Sequence, residues 1–497
     1  MKNKIKKKTS NLEHKIFELS DTCYKIITKY PSIEKHAFEF LNFRNAHPSS
    51  LNVYSDYFKK KYNFLLRFKL FLKDEVYKFI SFLRNEKLYF GDEIPKKCDV
   101  IFITHFLNKE QAYHNIDNYY GSLMSELVKD GKLKLMVVLK NHTWLTQKKI
   151  IKKWNSNLFC KIILSRTIGF KKEKEIVNRL KVSGKFMKSC FQKKPIEKNI
   201  ALFAEQFSTS GSSKTALRMH EQIKSIVKKT QPKFLISTFE GHGWERLVFK
   251  AAKMENPNVL CIGYHHSVMF PMQLGLTRKY GDGYDPDIIA TAGKIGLDWF
   301  KAQDSWKNTP INILGSSRSS INTLSKNNKI CLVCPEGIIS ETLMLFKLAI
   351  NAAKKLKKYH FILRVHPVLK NDKKINKFCN NSNLPDNVNL SKDLITNDLN
   401  KSKIILYRGS SLVITGVLAG LYPIYFSPND EKISIDPLSS IFLKNNVNSF
   451  NQLVKKINEM DKIKNIRSNS DFMLAKKYCE SYFTPISKNN FYKIINF

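Results

Sequence analysis

Acidic residues are scarce in this 497-residue chain: 42 Asp and Glu stand against 84 Lys and Arg, a formal net charge of +42. Such an excess attracts nucleic acid, anionic membrane or nucleotide phosphates. The lysines are nevertheless spread along the chain, and Lys, Asn and Ile are all plentiful, as an AT-rich coding sequence would give. No recognisable reader motif or Arg-rich segment is present, which disfavours a nucleic-acid-binding protein. No run of about 20 apolar residues lacks charges, so no bilayer span is expected. Residues 1–15 are charged and have no apolar h-region, so no signal peptide is expected either. The expected location is cytoplasmic, with peripheral contact at the anionic inner face of the membrane left open. GxxxxGK(S/T) and GxGxxG are both missing, which disfavours P-loop ATP hydrolysis and ordinary NAD binding. Nine irregularly spaced cysteines make no secreted disulfide framework. Cys331-Leu332-Val333-Cys334 lies in an apolar run and reads as buried strand rather than a metal or redox site.

What is present is enough apolar and aromatic residue, 43% and 12%, to bury sizeable cores. At this length two or three domains are expected. Residues 1–95 read as a helical, basic extension. Within it Leu65, Phe68, Leu72, Val76, Phe79, Ile80 and Leu83 give Tyr62–Phe90 one apolar face, suited to packing on the next domain or to resting on lipid. From Cys98 short apolar strands alternate with helices: strands at 99–105, 132–141, 233–239, 259–265, 287–292 and 311–314, with an irregular Lys-rich insertion before a helix at 212–230. Gly315–Asn328 reads as a linker, after which strands at 329–334, 360–366, 403–407 and 422–426 resume the rhythm. Alternation of this kind predicts an α/β chain of two Rossmann-like, doubly wound lobes, 96–315 and 329–497, facing a cleft.

Ligands of such sheets bind beyond the C-terminal strand ends, which singles out several residues. In Arg364-Val365-His366-Pro367 a strand ends in a phosphate-binding fork and an imidazole able to donate a proton. Tyr407-Arg408-Gly409-Ser410-Ser411 runs from strand through a small-residue turn into a helix, where N–H groups and hydroxyls suit an anion. Glu336 lies in Pro335-Glu336-Gly337 at another strand end. Glu341 reads as a helix N-terminal acid. In the first lobe Glu240, before Gly241-His242-Gly243, is placed to act as a general base. Glu245 and Arg246 read as a local ion pair. Gly263-Tyr264-His265-His266-Ser267 offers His265 as a second acid–base candidate. No metal is expected, because no HExxH or DxD pattern stands out and the Gly281–Asp287 acids read as exposed-turn residues.

With these motifs the chain resembles bacterial surface-carbohydrate (capsule or O-antigen) glycosyltransferases of the GT-B fold. The likeness rests on Glu240 to Glu245, Gly263 to Ser267, the His-Pro turn at His366-Pro367 and the Ser410-Ser411 helix start, and covers roughly residues 230–430. The last two are similar to those of sialyltransferases and Kdo transferases. The resemblance implies sugar transfer from a nucleotide-sugar donor to a growing surface polysaccharide or lipid-linked glycan, inverting and without metal or cofactor. It implies Glu240 as the base, His366 at the leaving phosphate and Ser410 and Ser411 as phosphate-binding residues; the strand-end reading adds His265 to the catalytic set and Arg364, His366, Glu336 and Arg408 to the donor-binding one. A CDP-glycerol-type polyol-phosphate transferase, a nucleotide-sugar epimerase and a catalytically silent scaffold remain as alternatives.

Overall fold

The computed structural model describes residues 11–44, 46–48, 72, 76 and 87–495, apart from 144, 146, 153, 156, 157, 321–327, 382, 383, 442 and 464. Eight strands build the first sheet: β1 (Tyr89–Gly91), β2 (Val100–Phe106), β3 (Leu135–Asn141), β4 (Cys160–Leu164), β5 (Phe234–Thr238), β6 (Leu260–His265), β7 (Ile288–Thr291) and β8 (Ile311–Ile313). Their order is β1-β4-β3-β2-β5-β6-β7-β8. Only β1 is antiparallel to its neighbour. Side chains alternate between the faces of a strand. Ile101, Ile103 and Leu235 therefore enter one core, and Val100, Phe102 and Ile236 enter another on the opposite face. Burial on both faces is why these strands read as unbroken apolar runs.

The second sheet holds β9 (Ile330–Pro335), β10 (His360–Leu363), β11 (Val388–Leu390), β12 (Ile404–Arg408), β13 (Tyr422–Phe426) and β14 (Asn446–Val447). It is parallel throughout, in the order β11-β10-β9-β12-β13-β14. The two-lobed α/β architecture expected from the strand–helix rhythm is present. Each sheet reverses its winding once, between β2 and β5 and between β9 and β12. These are the switch points outside which open parallel sheets take ligands. Cys331 and Cys334 are free and buried in β9.

Several elements differ from expectation. The Lys-rich stretch before residue 212 is not irregular: it holds β4 and the helices Phe170–Cys190 and Pro195–Phe207. Ile176, Val177, Leu180 and Met187 line the buried face of the first helix, and its lysines mask that period in sequence. Tyr89–Gly91 is an edge strand rather than a helix end. Of the amphipathic helix expected at 62–90, only Leu72, Val76 and 87–90 are among the described residues. The helix Asn11–Lys29 buries Ile16, Leu19, Cys23 and Ile26 in the first lobe. The last helix, Lys488–Ile495, leaves the second lobe and returns to the first. There Phe491 stacks on Phe102 at 5.6 Å, and Lys488 and Tyr492 both bind Asp130. A lobe boundary drawn from sequence order alone therefore misses a crossing at the C-terminus.

Candidate functional site

At the first switch point β5 ends at Thr238 and the chain turns through Phe239-Glu240-Gly241-His242 into the helix Gly243–Glu255. Gly241 has φ +83°, and a Cβ there would come 2.9 Å from the Gly275 carbonyl carbon, so both conformation and space demand glycine. Glu245 fixes the turn by accepting the N–H groups of Glu240 (2.9 Å) and His242 (2.9 Å). It is a buried capping group, not the partner of Arg246. Arg246 points elsewhere and pairs with buried Asp285, since adjacent helical residues do not face each other. Asp285 is accordingly no exposed-turn acid. Burial pushes Glu245 up to about 7.

Glu240 is the hub of this side. Its carboxylate accepts a hydrogen bond from Arg44 and lies 3.6 Å from His242 Nε2 and 3.8 Å from His266 Nε2. Burial alone would raise its carboxyl. The Arg44 guanidinium, with the rings of His242 and His266, outweighs burial and holds it well below the usual carboxylate range. His242 is opposed by burial but lifted to about 9 by Glu39 and Glu240, and its Nδ1 sits 2.6 Å from Glu39. Across the switch His105, on β2, reaches Thr238 (3.1 Å) and His142 (2.7 Å). Burial first, then Lys140, lowers both rings, His142 to about 4, so both are neutral at pH 7. The Lys140 ammonium lies 3.9 Å from the centre of the Trp244 indole, and burial lowers it to about 8.

The paired histidines separate by strand alternation. His265 turns inward against Phe300, 1% exposed, with Nε2 3.1 Å from Ser267 Oγ. His266 faces Glu240 and packs on Tyr119, with ring centroids 4.4 Å apart. The sequence expectation of His265 in the cleft thus falls on the wrong neighbour, because the strand's phase decides which ring turns out.

At the second switch point β9 ends in Pro335 and runs into Glu336-Gly337, while β12 ends in Arg408 and turns at Gly409. Gly409 has φ +63°, and a Cβ there would lie 2.8 Å from the Glu336 carboxyl carbon. Ser410 Oγ accepts from the Leu412 N–H (3.4 Å), and Ser411 precedes the short helix Leu412–Leu418. From β10, His366 packs beside Gly337, and its Nδ1 accepts the Val368 N–H at 3.3 Å. Burial lowers His366. Glu336, His366, Ser410 and Ser411 are thus gathered at one place. Two expected donor-binding residues are not presented to it in the same way. Arg408 is 1% exposed and holds Glu341 and Glu431 (2.5 Å) inside the lobe. Arg364 Nη1 is engaged by Asp398 (2.5 Å), Ser391 and the Asp393 carbonyl. Glu341, by the same contact, is a core ion-pair partner rather than a simple N-terminal acid.

The residues the sequence did not announce come from the N-terminus. Phe38–Arg44 and Ala46–His47 form a strap against the Gly241–Gly243 turn. The Gly243 N–H donates to Glu39 (3.0 Å), the Gly275 N–H to the Arg44 carbonyl (3.0 Å), and the Ala46 N–H to the Met272 carbonyl (3.0 Å). Three residues beyond Arg44, His47 Nε2 donates to Glu336 at 2.9 and 3.1 Å. One strap thus touches a carboxylate at each switch point. Glycines at 241, 243 and 275 are the only sequence trace of the strap, since each leaves room for its backbone or for the turn it packs on. Among the described residues no cluster of His, Cys, Asp and Glu is arranged to hold a metal ion, and no helix is long and apolar enough to cross a membrane.

No family model and no curated protein matches the chain. Among solved structures it is similar to the kitacinnamycin glycotransferase, with a TM-score of 0.47 and 10% identity over 81% of this chain and 99% of that one. It is also similar to the glycosyltransferase SnogD from Streptomyces nogalater, with 0.46 and 10% over 80% and 100%. UDP-N-acetylglucosamine 2-epimerase from Rickettsia bellii aligns with 0.45 and 9% over 80% and 96%. At these scores the similarities assign neither a reaction nor a residue role to this chain.

Proposed function

We propose that the protein transfers a sugar from a nucleotide-sugar donor to an acceptor hydroxyl across the cleft. The observation that carries this reading is the pairing of two chemically unlike switch points through one strap. Glu240 with its histidines stands on one side, and Glu336, His366, Ser410 and Ser411 stand on the other. On the second lobe, His366 and the Gly409-Ser410-Ser411 turn receive the departing nucleotide phosphate, with Arg364 adding positive charge from within its pair. Neutralising the leaving group is the largest electrostatic need of such a reaction. On the first lobe, Glu240 accepts a hydrogen bond from the acceptor hydroxyl and takes its proton as the sugar is transferred, with the His266 ring beside it. His265 and Arg408 are assigned to structure. The acceptor class is a surface polysaccharide or lipid-linked glycan, the transfer inverting and metal-independent, with the basic surface resting on anionic inner membrane.

The test is incubation with CMP-, UDP-, GDP- and CDP-linked sugars and with CDP-glycerol, reading released nucleotide with and without EDTA. Turnover of a nucleotide sugar that survives EDTA supports the reading. Turnover of CDP-glycerol alone would replace it with polyol-phosphate transfer, and binding of no nucleotide at all would remove it.

A further inference from the structure

Arg44 and His47 lie three residues apart on a segment outside both sheets, yet each meets a carboxylate at a different switch point. His47 is only 8% exposed, and Glu336, its partner, sits over Gly409 with no room for a side chain there. The strap is held on the first lobe because Gly275 and Gly243 approach it at distances that leave no room for a methyl group. A Cβ on Gly275 would fall 2.9 Å from Arg44 Cα. The register of Arg44 on Glu240 therefore sets the register of His47 on Glu336.

We propose that this strap is part of the reaction site, with Arg44 and His47 as positioning residues that orient Glu240 and Glu336 and fix the spacing of the two lobes. Arg44 keeps Glu240 ionised and aimed at the cleft. The groups that also face Glu240 act with or against it: His242 and His266 lower its carboxyl with Arg44, burial raises it, and Lys140, Glu245, His105, His265 and Tyr119 lie within its field. His47 occupies the Glu336 oxygens in the free protein. A donor whose hydroxyls bind Glu336 does so with His47 as its neighbour. Donor binding on the second lobe is then felt by the strap and, through Arg44, by the first.

The inference rests on the transfer reading for its kinetic arm but not for its structural one. In the full chain, Arg44→Ala is expected to lower kcat about 10- to 100-fold with KM within threefold, because a misaimed group costs rate more than binding. It should also move the acidic limb of the kcat/KM profile upward, since the cation holding Glu240 down is gone; Arg44→Lys should restore most of the limb's position. His47→Ala should raise the donor KM about 3- to 10-fold, a loss of uniform binding, and His47→Gln, which keeps an N–H donor, should reverse it. Independently of any turnover, amide exchange of the ligand-free protein should rise in His47→Ala both in the strap and at Glu336–Ile339, with the Leu412–Leu418 core unchanged. Unchanged exchange at Glu336–Ile339 overturns the proposal, as does an unmoved pH limb in Arg44→Ala when the enzyme is active. If the wild type turns over no nucleotide sugar, the transfer reading fails and the exchange data alone decide the strap.

Discussion

The two switch points solve opposite problems with the same backbone geometry. Both put a carboxylate next to a glycine with positive φ, Glu240 before Gly241 and Glu336 against Gly409. The first then surrounds its carboxylate with ionisable side chains: Arg44, His242, His266 and Lys140. The second buries its strongest cation, Arg408, in the core and leaves the imidazoles of His366 and His47, two hydroxyls and a largely buried turn. A carboxylate held ionised among charged groups can accept a hydrogen bond from a hydroxyl at neutral pH, whereas a sparse site with small residues suits a bulky anionic group that brings its own charge. An arginine at a strand end is thus no guide to ligand contact; what its guanidinium already binds decides.

The comparison can be broken from either side. The largest expected effect is Glu240→Gln, which should cut nucleotide release from the correct donor by about 10²- to 10⁴-fold while leaving the melting curve within a few degrees. A variant retaining more than half the wild-type rate would remove Glu240 from the chemistry. Next is Arg408→Ala, which strands Glu341 and Glu431 in the lobe without a cation and should cost about 3–5 kcal/mol in urea unfolding. A loss under about 1 kcal/mol would mean that Arg408 is not the core tie described. His366→Ala is the counterpart to Glu240→Gln on the sparse side and should lower kcat about 10²-fold with stability nearly unchanged. An equal loss of stability would make it a packing residue.

Smaller effects sharpen the contrast. Gly409→Ala must place a methyl group on the Glu336 carboxyl at a positive φ, and should destabilise by about 1–3 kcal/mol. Gly131→Ala, with similar positive φ but nothing within 4 Å, should cost less; equal costs would leave strain, and not Glu336, as the cause. A separate effect is the pH dependence carried by Glu245. Its folded carboxyl is raised from 4.5 to about 7, so the folded chain holds the proton more tightly than the unfolded one. The stability this adds is present below pH 4.5 and lost as pH climbs through 7. Glu245→Gln should therefore flatten the fall in stability between pH 4.5 and 7 relative to wild type. Parallel curves for the two proteins would show that Glu245 does not titrate there.

Much of the architecture was legible because strands buried on both faces leave continuous apolar runs, which no other local pattern imitates at that length. β2, β3, β5, β6, β7, β9, β12 and β13 are read to within two or three residues. The helix Phe170–Cys190 was hidden by its lysines, whose long stems let basic residues sit beside an apolar face without marking it, whereas β11 is only three residues long and is flanked and interrupted by Asn387 and Asn389. In the candidate site, Glu240, Glu336, His366 and the Ser410-Ser411 turn were legible because strand-to-helix turns with glycine announce themselves. The choice between His265 and His266 was not, since it depends on strand phase.

By itself the sequence determined the α/β class, the two-lobed alternation, and which turns lie at strand ends, because these follow from local periodicity and from the backbone needs of glycine. The tertiary structure alone decided that Arg364 and Arg408 are engaged by buried carboxylates, that the final helix belongs to the first lobe, and that Glu39, Arg44 and His47 enter the site from about 200 to 290 residues away in the chain. Those outcomes are pairings between distant charges and surfaces, and a linear pattern carries no information on which partner a charged side chain will find once the chain is folded.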